Sequence, residues 1–382
     1  MNNTATELTE YYLRNYLKEL FRAEEVEVVS IVKFPRGISR ETWFIECNCT
    51  GMHRAWMRGK SQDFRSRTPW RRRNASQKLI LRRDLPALSV VPTSLRFEYE
   101  IYRCLQGSRV PVAPVLVFED DPAKLPDERP FYIRQQIAGS WDVPHYLDAA
   151  PQFDELRIEA AKEHIRKLAL IHTCDWQALG FGNIMQAPER PEDCAHAAIE
   201  RNWASLAKYQ FEPLPIMTEA REWLHDHAPV ATRISLLKGT NGRGEEVFRD
   251  GVIVAMSDWE QASLGDPASD FARTQDFFTE IVRDGQVLWG LKEALAYYRD
   301  LTGMDLPLTS IEYYRVLNCF ENLVALHHAA APLADGSDRL ARLAWLSTEV
   351  MHYANQMLLG ATSNRKESAD RVFSTQAAAV TH

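Results

Sequence analysis

The stretch Val254-Ala-Met-Ser-Asp258-Trp-Glu-Gln-Ala-Ser-Leu-Gly-Asp266-Pro267-Ala-Ser-Asp270-Phe-Ala says more about the fold than any other part of the chain. Its apolar start predicts a buried strand that ends at Asp258. Because Mg²⁺ prefers one or two carboxylates together with phosphate oxygens, Asp258 is a candidate metal ligand. Asp266 then predicts the N-cap of a helix, with Pro267 at its first position. Asp270 follows one turn later and is expected to have a structural, hydrogen-bonding role.

Composition limits the kind of protein this can be. The chain has 382 residues, 45% hydrophobic and 25% charged, which is typical of a globular protein of about two domains. The net charge of −7 argues against a general nucleic-acid-binding protein. No apolar run is long enough to span a membrane, and the N-terminus lacks the apolar core of a secretory signal. Six scattered cysteines predict neither a disulfide framework nor a zinc site, so a cytoplasmic location is expected.

The pattern of the first 138 residues predicts a small β-rich lobe. A helix is predicted over residues 4–22 and another over 94–105. Strands are predicted at 26–34, 42–49, 78–83, 114–118 and 131–137. Because successive strands are joined by short turns, the sheet is expected to be antiparallel.

Beyond Gly139 the pattern becomes helical, which predicts a second, larger lobe over residues 139–360 with a β segment at 235–258. Its helices are predicted at 153–174, 195–206, 217–227, 290–302, 310–330 and 338–359. The polar tail, residues 361–382, is expected to be disordered. The predicted fold class is therefore α+β and bilobal, with a hinge near Gly139.

A basic segment interrupts the first lobe. Residues 53–78 contain nine Lys or Arg and one Asp, a net charge of +8, so the rest of the chain carries −15. One interpretation is a solvated, mobile insertion. Another is a site for an anionic partner such as a phosphate, a coenzyme A tail or an acidic protein surface. Its interleaved aromatic residues also suit single-stranded nucleic acid, although one short patch in an acidic chain is weak evidence.

Four further segments precede the Asp258 stretch in a defined order. They are Gly37-Ile-Ser-Arg-Glu-Thr-Trp43, Leu79-Ile-Leu-Arg-Arg83, Phe131 through Gly139, and Leu168-Ala-Leu-Ile-His172. Together with that stretch they resemble the aminoglycoside phosphotransferase and choline kinase-like family. The branch that they resemble most is related to the kinase-like domain fused to some acyl-CoA dehydrogenases. The resemblance covers residues 10–345 and implies a bilobal protein-kinase-like fold, with a β-rich N-lobe, a mostly helical C-lobe and an active cleft between them.

The resemblance also implies a set of ligands and roles. ATP and Mg²⁺ would be the cofactors, with Asp258 as a metal ligand. Arg82 falls at the position of the basic residue that pairs with phosphate, and Glu98 at the helix glutamate that holds it, although the two could form a plain ion pair. The residues that would bind the nucleotide are Gly37, Ser39, Arg82, Glu98, Gln135 and Ile137.

The catalytic loop departs from the family pattern, which is His-Gly-Asp, four residues, then Asn. Counting back from Asp258 without a gap gives Lys238-Gly-Thr240-Asn-Gly-Arg-Gly-Glu245, so Lys, Thr and Glu replace His, Asp and Asn. Thr240 cannot accept a proton near pH 7, whereas Glu245 is still a possible Mg²⁺ ligand. Lys238 brings a cation that could hold an anion, and the glycines could form an anion-binding nest or a loose loop.

Other residues could supply the missing base. Glu245, Glu246 and Glu260 are the nearest in sequence. His327 and His328 lie near Glu321 on a predicted helix, where a partly buried helix face or an interface is the favoured explanation.

Three functions remain open from the sequence. The first is an ATP-dependent phosphotransferase acting on a hydroxyl of a small molecule, such as a hydroxyacyl-CoA or an alcohol. The second is a pseudokinase that binds a ligand without transferring phosphate. The third is an enzyme of changed chemistry that uses the same cleft with a new constellation around Lys238 and Glu245. The candidate catalytic residues are Lys238, Thr240, Glu245 and Asp258. The sequence leaves the oligomeric state open.

Overall fold

The computed structural model describes residues 10–34, 39–52, 73–85, 93–125, 128–210, 213–334, 336 and 344–362. Contacts divide these residues into two compact units, with the main boundary between Ala138 and Gly139. Thr93 and the segment Gly107–Pro111 belong to the C-terminal unit. At the boundary, a side chain on Gly139 would lie 2.5 Å from the carbonyl oxygen of Phe248, so this close approach of two backbones requires glycine.

The N-terminal unit is built on a five-stranded antiparallel sheet with the strand order β1-β2-β3-β5-β4, which confirms the predicted antiparallel arrangement. The strands are β1 (Glu25–Lys33), β2 (Arg40–Met52), β3 (Arg73–Asp84), β4 (Val115–Glu119) and β5 (Phe131–Gln135), and the helices are α1 (Glu10–Phe21) and α2 (Leu95–Leu105). Leu13 and Leu17, one turn apart on α1, are buried in one core with residues of the sheet such as Ile45. The Ser94 hydroxyl caps α2 by accepting the N–H of Phe97.

The C-terminal unit is mostly helical. Its helices are α3 (Asp154–His172), α4 (Asp193–Leu206), α5 (Pro215–Asp226), α6 (Ala268–Arg273), α7 (Leu291–Thr302), α8 (Leu308–Ala334) and α9 (Met351–Thr362). Three two-stranded antiparallel sheets join β6 (Ser235–Leu237) to β9 (Ser263–Gly265), β7 (Glu246–Arg249) to β8 (Val252–Met256), and β10 (Ile281–Arg283) to β11 (Gln286–Trp289). A β-rich N-terminal unit and a helical C-terminal unit agree with the predicted fold class.

Several predicted boundaries were wrong. Strand β5 ends at Gln135 rather than at Ile137, and β9 and the β10–β11 hairpin were not predicted because strands of three or four residues are too short to show a period. Helix α9 continues to Thr362, so the first two residues of the tail expected to be disordered are helical. Helix α6 begins at Ala268, one residue later than predicted, although Asp266 still accepts the N–H of Ala268.

Some predictions lie outside the described residues. These are residues 4–9 of the first predicted helix, Gly37, residues 53–72 of the basic segment, residues 338–343 of the last predicted helix, and the tail beyond Thr362. Within the described part of the chain, no helix is both long and apolar enough to cross a membrane.

Candidate functional site

A buried ionic cluster in the N-terminal unit centres on Glu98. The buried face of α2 places this carboxylate, with no exposed surface, among apolar residues of the same helix. One of its oxygens lies 3.1 Å from Nη1 of Arg82, and the other accepts a hydrogen bond of 2.6 Å from Nη1 of Arg40. Burial opposes the charged form of Glu98, but Arg82 and Arg40 outweigh it and hold its pKa below the ordinary value.

Arg40 is a member of this cluster that the sequence analysis missed. In the β2–β3 ladder Arg40 pairs with Asp84, and Thr42 pairs with Arg82, so both guanidinium groups start from neighbouring strands. Arg40 is fully buried and also donates from Nε to Asp84 at 3.0 Å, whereas the side chain of Arg82 remains 11% exposed. Of the two, Arg82 is therefore the one that keeps some access to a ligand.

Three other residues predicted to bind the nucleotide lie at or next to the ends of strands in the N-terminal sheet. Ser39 comes immediately before β2, and Gln135 is the last residue of β5. Ile137 lies two residues beyond the end of β5, next to Gln136, whose N–H donates a 2.8 Å hydrogen bond to the carbonyl oxygen of Lys78.

The segment predicted to be the catalytic loop, residues 238–245, is anchored in the C-terminal unit by Asp270 on α6. Its two carboxylate oxygens accept the backbone N–H groups of Lys238 and Gly239 at 2.8 and 2.9 Å. His172, at the end of α3, lies 3.0 Å from the same carboxylate through Nε2. Burial opposes the charged form, but His172 and the two backbone N–H groups lower the pKa of Asp270. The hydrogen-bonding role expected of Asp270 thus fixes the start of the loop.

The backbone at position 239, directly after Lys238, requires a glycine. Its φ of +82° lies in the left-handed region, and a side chain there would come within 2.1 Å of the carbonyl oxygen of Gln261. Both the conformation and the close approach exclude other residues. The loop is therefore packed directly against the segment that follows Asp258.

Of the three positions predicted to depart from the family pattern, Lys238 contacts both of the others. The ammonium of Lys238 is fully buried, lies 2.8 Å from Oε2 of Glu245 and donates to the backbone carbonyl of Thr240. It also lies 5.9 Å from the ring centre of Trp259. The three residues predicted to replace the family's His, Asp and Asn are therefore linked through Lys238 into one unit.

The charges of Lys238 and of the nearby carboxylates shift one another's pKa values. Burial opposes the charged form of Lys238, but the carboxylates of Glu245, Glu246 and Asp258 outweigh it and raise the pKa of the ammonium. Burial raises the pKa of Glu245 to about 7, and Asp258 adds to the rise while Lys238 opposes it. The ion pair is therefore best formed above neutral pH.

Asp258 presents a buried acceptor next to this unit. It follows β8 with a φ of +62°, a conformation that is uncommon for aspartate and often found at functional sites. Its neighbour Ser257 donates from both its backbone N–H and its hydroxyl to the carbonyl oxygen of Glu245, at 2.8 and 2.7 Å. The Oδ1 atom of Asp258 is buried and has no hydrogen-bond partner among the residues that the structure describes.

Two more loop residues have unmet hydrogen-bonding groups. The hydroxyl of Thr240 and both polar atoms of the Asn241 side chain are buried without a partner in the described part of the chain. Such groups are rare in native proteins and call for an explanation such as a bound ion. The same described residues contain no group of three or more His, Cys, Asp or Glu that could hold a metal. An ion on Asp258 would then take its remaining ligands from phosphate oxygens and water, which is the usual coordination of Mg²⁺.

A family model described as "Phosphotransferase enzyme family" matches residues 57–307. The chain belongs to this family. It is 23% identical over 309 residues to acyl-CoA dehydrogenase family member 10 of Mus musculus, a match that covers 80% of this chain and 25% of that protein. The chain therefore spans about a quarter of the length of this curated relative.

Two solved structures of low identity share the fold. One is a putative aminoglycoside phosphotransferase from Ralstonia eutropha, with a TM-score of 0.61 and 18% identity, covering 94% of this chain and 99% of that one. The other is a thermostable mutant of aminoglycoside phosphotransferase APH(4)-Ia in a complex with ADP and hygromycin B, with a TM-score of 0.53 and 13% identity, covering 93% and 99%. These likenesses confirm the kinase-like fold predicted from the sequence.

The alternative bases of this phosphotransferase family member are engaged or buried. Oε1 of Glu246 lies 3.0 Å from Nδ1 of His164, and both residues are buried. Glu260 is 6% exposed, and its backbone carbonyl accepts the hydroxyl of Thr93. His327 and His328 are buried on α8, as the helix-face interpretation expects.

Asp266 gives a testable pH dependence. It is 2% exposed, and burial raises its pKa to about 6 from an ordinary value of 3.8, so the folded state favours the protonated form. This contribution to stability is complete below about pH 4 and is lost as the pH rises through about 6. Asparagine does not ionise and so avoids this loss. We expect the change in the free energy of unfolding caused by Asp266→Asn to be more stabilising at pH 8 than at pH 5, by about 1–2 kcal/mol.

Urea denaturation at the two pH values measures this difference, with the exposed Asp300→Asn as the matched control. An equal effect of Asp266→Asn at pH 5 and pH 8 would contradict the prediction.

Proposed function

We propose that this chain binds ATP with Mg²⁺ and transfers the terminal phosphate to a hydroxyl of a small molecule. The observation that carries the proposal is the Oδ1 atom of Asp258, which is buried and has no hydrogen-bond partner among the residues that the structure describes. Asp258 follows a strand and lies beside a loop that Asp270 anchors. A hard oxygen ligand in this surrounding suits a divalent ion that also contacts phosphate.

The N-terminal unit supports the nucleotide part of the proposal. Glu98 holds Arg82 by an ion pair, and a partly exposed guanidinium in a fixed orientation suits phosphate oxygens. A solved relative of the same fold was crystallised with ADP, which supports a nucleotide as the ligand here. Gln135 and Ile137 would contact the adenine.

The acceptor is proposed to be an alcohol or a hydroxyacyl-CoA. Likeness to an acyl-CoA dehydrogenase family member supports an acyl-CoA-linked hydroxyl, and the basic segment suits an anionic coenzyme A tail. Because Thr240 cannot act as a base, we expect turnover to be slower by about 10²–10⁴-fold than with an aspartate at that position. Catalysis would depend on positioning and charge neutralisation, which dominate phosphoryl transfer.

The second candidate is a pseudokinase. The ion pair between Lys238 and Glu245, together with a threonine at the position of the base, favours a module that binds nucleotide and transfers nothing.

Thermal unfolding with Mg·ATP, followed by ATP turnover with a panel of alcohols and acyl-CoAs, tests the proposal. At about 100 times the dissociation constant, Mg·ATP should add about 2.7 kcal/mol of stability, and Asp258→Asn should remove most of this gain. The exposed Asp305→Asn is the matched control.

An unfolding midpoint that ATP does not change, together with no turnover, would reject the phosphotransferase. Binding without turnover on any acceptor would favour the pseudokinase.

A further inference from the structure

Lys238 places a tethered positive charge at the point where a catalytic loop of this fold would engage its metal. The ammonium has no exposed surface and is 2.8 Å from Glu245. Its other contacts, the carbonyl oxygen of Thr240 and the ring of Trp259, also favour a cation. The chain therefore supplies its own buried cation inside the candidate site.

Glu245 is committed to this ammonium. In kinases of this fold, one ion is held by the aspartate after the strand and a second depends on the asparagine of the catalytic loop. Glu245 stands at that asparagine position and has 19% of its side chain exposed, but one oxygen is held by Lys238. A divalent ion bound there would meet the ammonium at short range, and the two cations would repel each other.

Asp258, unlike Glu245, has a carboxylate oxygen that is available to an ion. Its Oδ1 is buried and lacks a partner within the described ranges, so it can accept an ion without breaking an existing contact. The hydrogen bonds from Ser257 to the Glu245 carbonyl hold the backbones of the two acidic positions together. One acidic side chain is thus available to metal and the other is occupied.

We infer that the ammonium of Lys238 takes the place of the second divalent ion, so that the nucleotide-bound protein holds a single metal ion, on Asp258. The inference rests on the proposed nucleotide binding but does not require that phosphate is transferred. The ion pair with Lys238 already compensates the charge of Glu245, the carboxylate that would otherwise hold the second ion, so this position needs no second metal.

Counting bound Mn²⁺ by the electron paramagnetic resonance signal of the free ion tests this. The full chain is used at pH 8, where Glu245 is ionised, with a saturating non-hydrolysable ATP analogue. We expect one Mn²⁺ per wild-type chain. Lys238→Met frees Glu245 and should bind two, and Lys238→Met with Glu245→Gln should return to one.

A further variant provides a test that does not depend on whether Lys238→Met folds. Glu245→Gln alone retains the hydrogen bond from Lys238 to Thr240 and should still bind one Mn²⁺ with an affinity within about threefold of the wild type. Two ions in the wild type, a loss of affinity of tenfold or more in Glu245→Gln, or one ion in a folded Lys238→Met variant would each overturn the inference.

The outcomes separate this inference from the proposed function. Absence of both nucleotide and Mn²⁺ binding would overturn both. Two ions with measurable turnover would overturn the inference alone, and one ion without turnover would support the inference while rejecting the transferase.

Discussion

Replacing Glu98 with glutamine should lower the free energy of unfolding by about 3–5 kcal/mol. The carboxylate is fully buried between Arg40 and Arg82, at 2.6 and 3.1 Å, and its loss leaves two guanidinium groups next to a neutral amide. Removing one partner from a buried ion pair costs this much because the remaining charges stay desolvated with less compensation. Chemical denaturation monitored by fluorescence measures the loss, with Mg·ATP binding as a second measurement.

A matched control is available at the edge of the same cluster. Asp84 contacts Arg40 at 3.0 Å but is 41% exposed, so Asp84→Asn should cost about 1 kcal/mol or less. If the two variants lost stability equally, the cluster would not depend on Glu98 in the way that its burial indicates. We also expect Glu98→Gln to weaken nucleotide binding more than Asp84→Asn, because Glu98 contacts Arg82 directly.

Restoring the family residues at all three altered loop positions should raise phosphate transfer by about 10²–10⁴-fold, the usual contribution of a positioned general base. The variant carries Lys238→His, Thr240→Asp and Glu245→Asn. It returns a carboxylate to the position that would accept the proton of the attacking hydroxyl and an amide to the metal-binding position. Initial rates of ATP turnover with the best acceptor measure the gain.

Because Lys238 contacts Thr240, the triple variant must be compared with Thr240→Asp alone. In Thr240→Asp alone, the retained ammonium is close enough to pair with the new carboxylate, so a much smaller gain is expected. Thr240→Asn in the background of the other two substitutions provides a neutral control of similar size. A triple variant that folds and binds Mg·ATP but gains no activity would show that the loop alignment, or the role given to Thr240, is wrong.

Local patterns in the amino-acid sequence determine most of the secondary structure and the fold family of this protein. The alternation and period of apolar residues located most of the described helices and strands, because side chains on one face of an element must share one core. Short connections between the first strands were enough to predict an antiparallel sheet, and the spacing of Asp258, Asp266 and Asp270 predicted a strand followed by a helix. The family resemblance rested on the same ordered segments and was confirmed.

Tertiary structure alone decided which charged residues meet. Arg40 and Glu98 are 58 positions apart, so no local pattern could show that Glu98 is shared between Arg40 and Arg82. Asp270 reaches back over 32 residues to anchor the N–H of Lys238, a contact that depends on the path of the chain between them. The sequence predicted changes at three catalytic positions, but only the fold revealed that Lys238 contacts both Thr240 and Glu245. Periodicity reports which face of an element is buried, whereas ion pairing depends on distances between elements, and these exist only once the chain has packed.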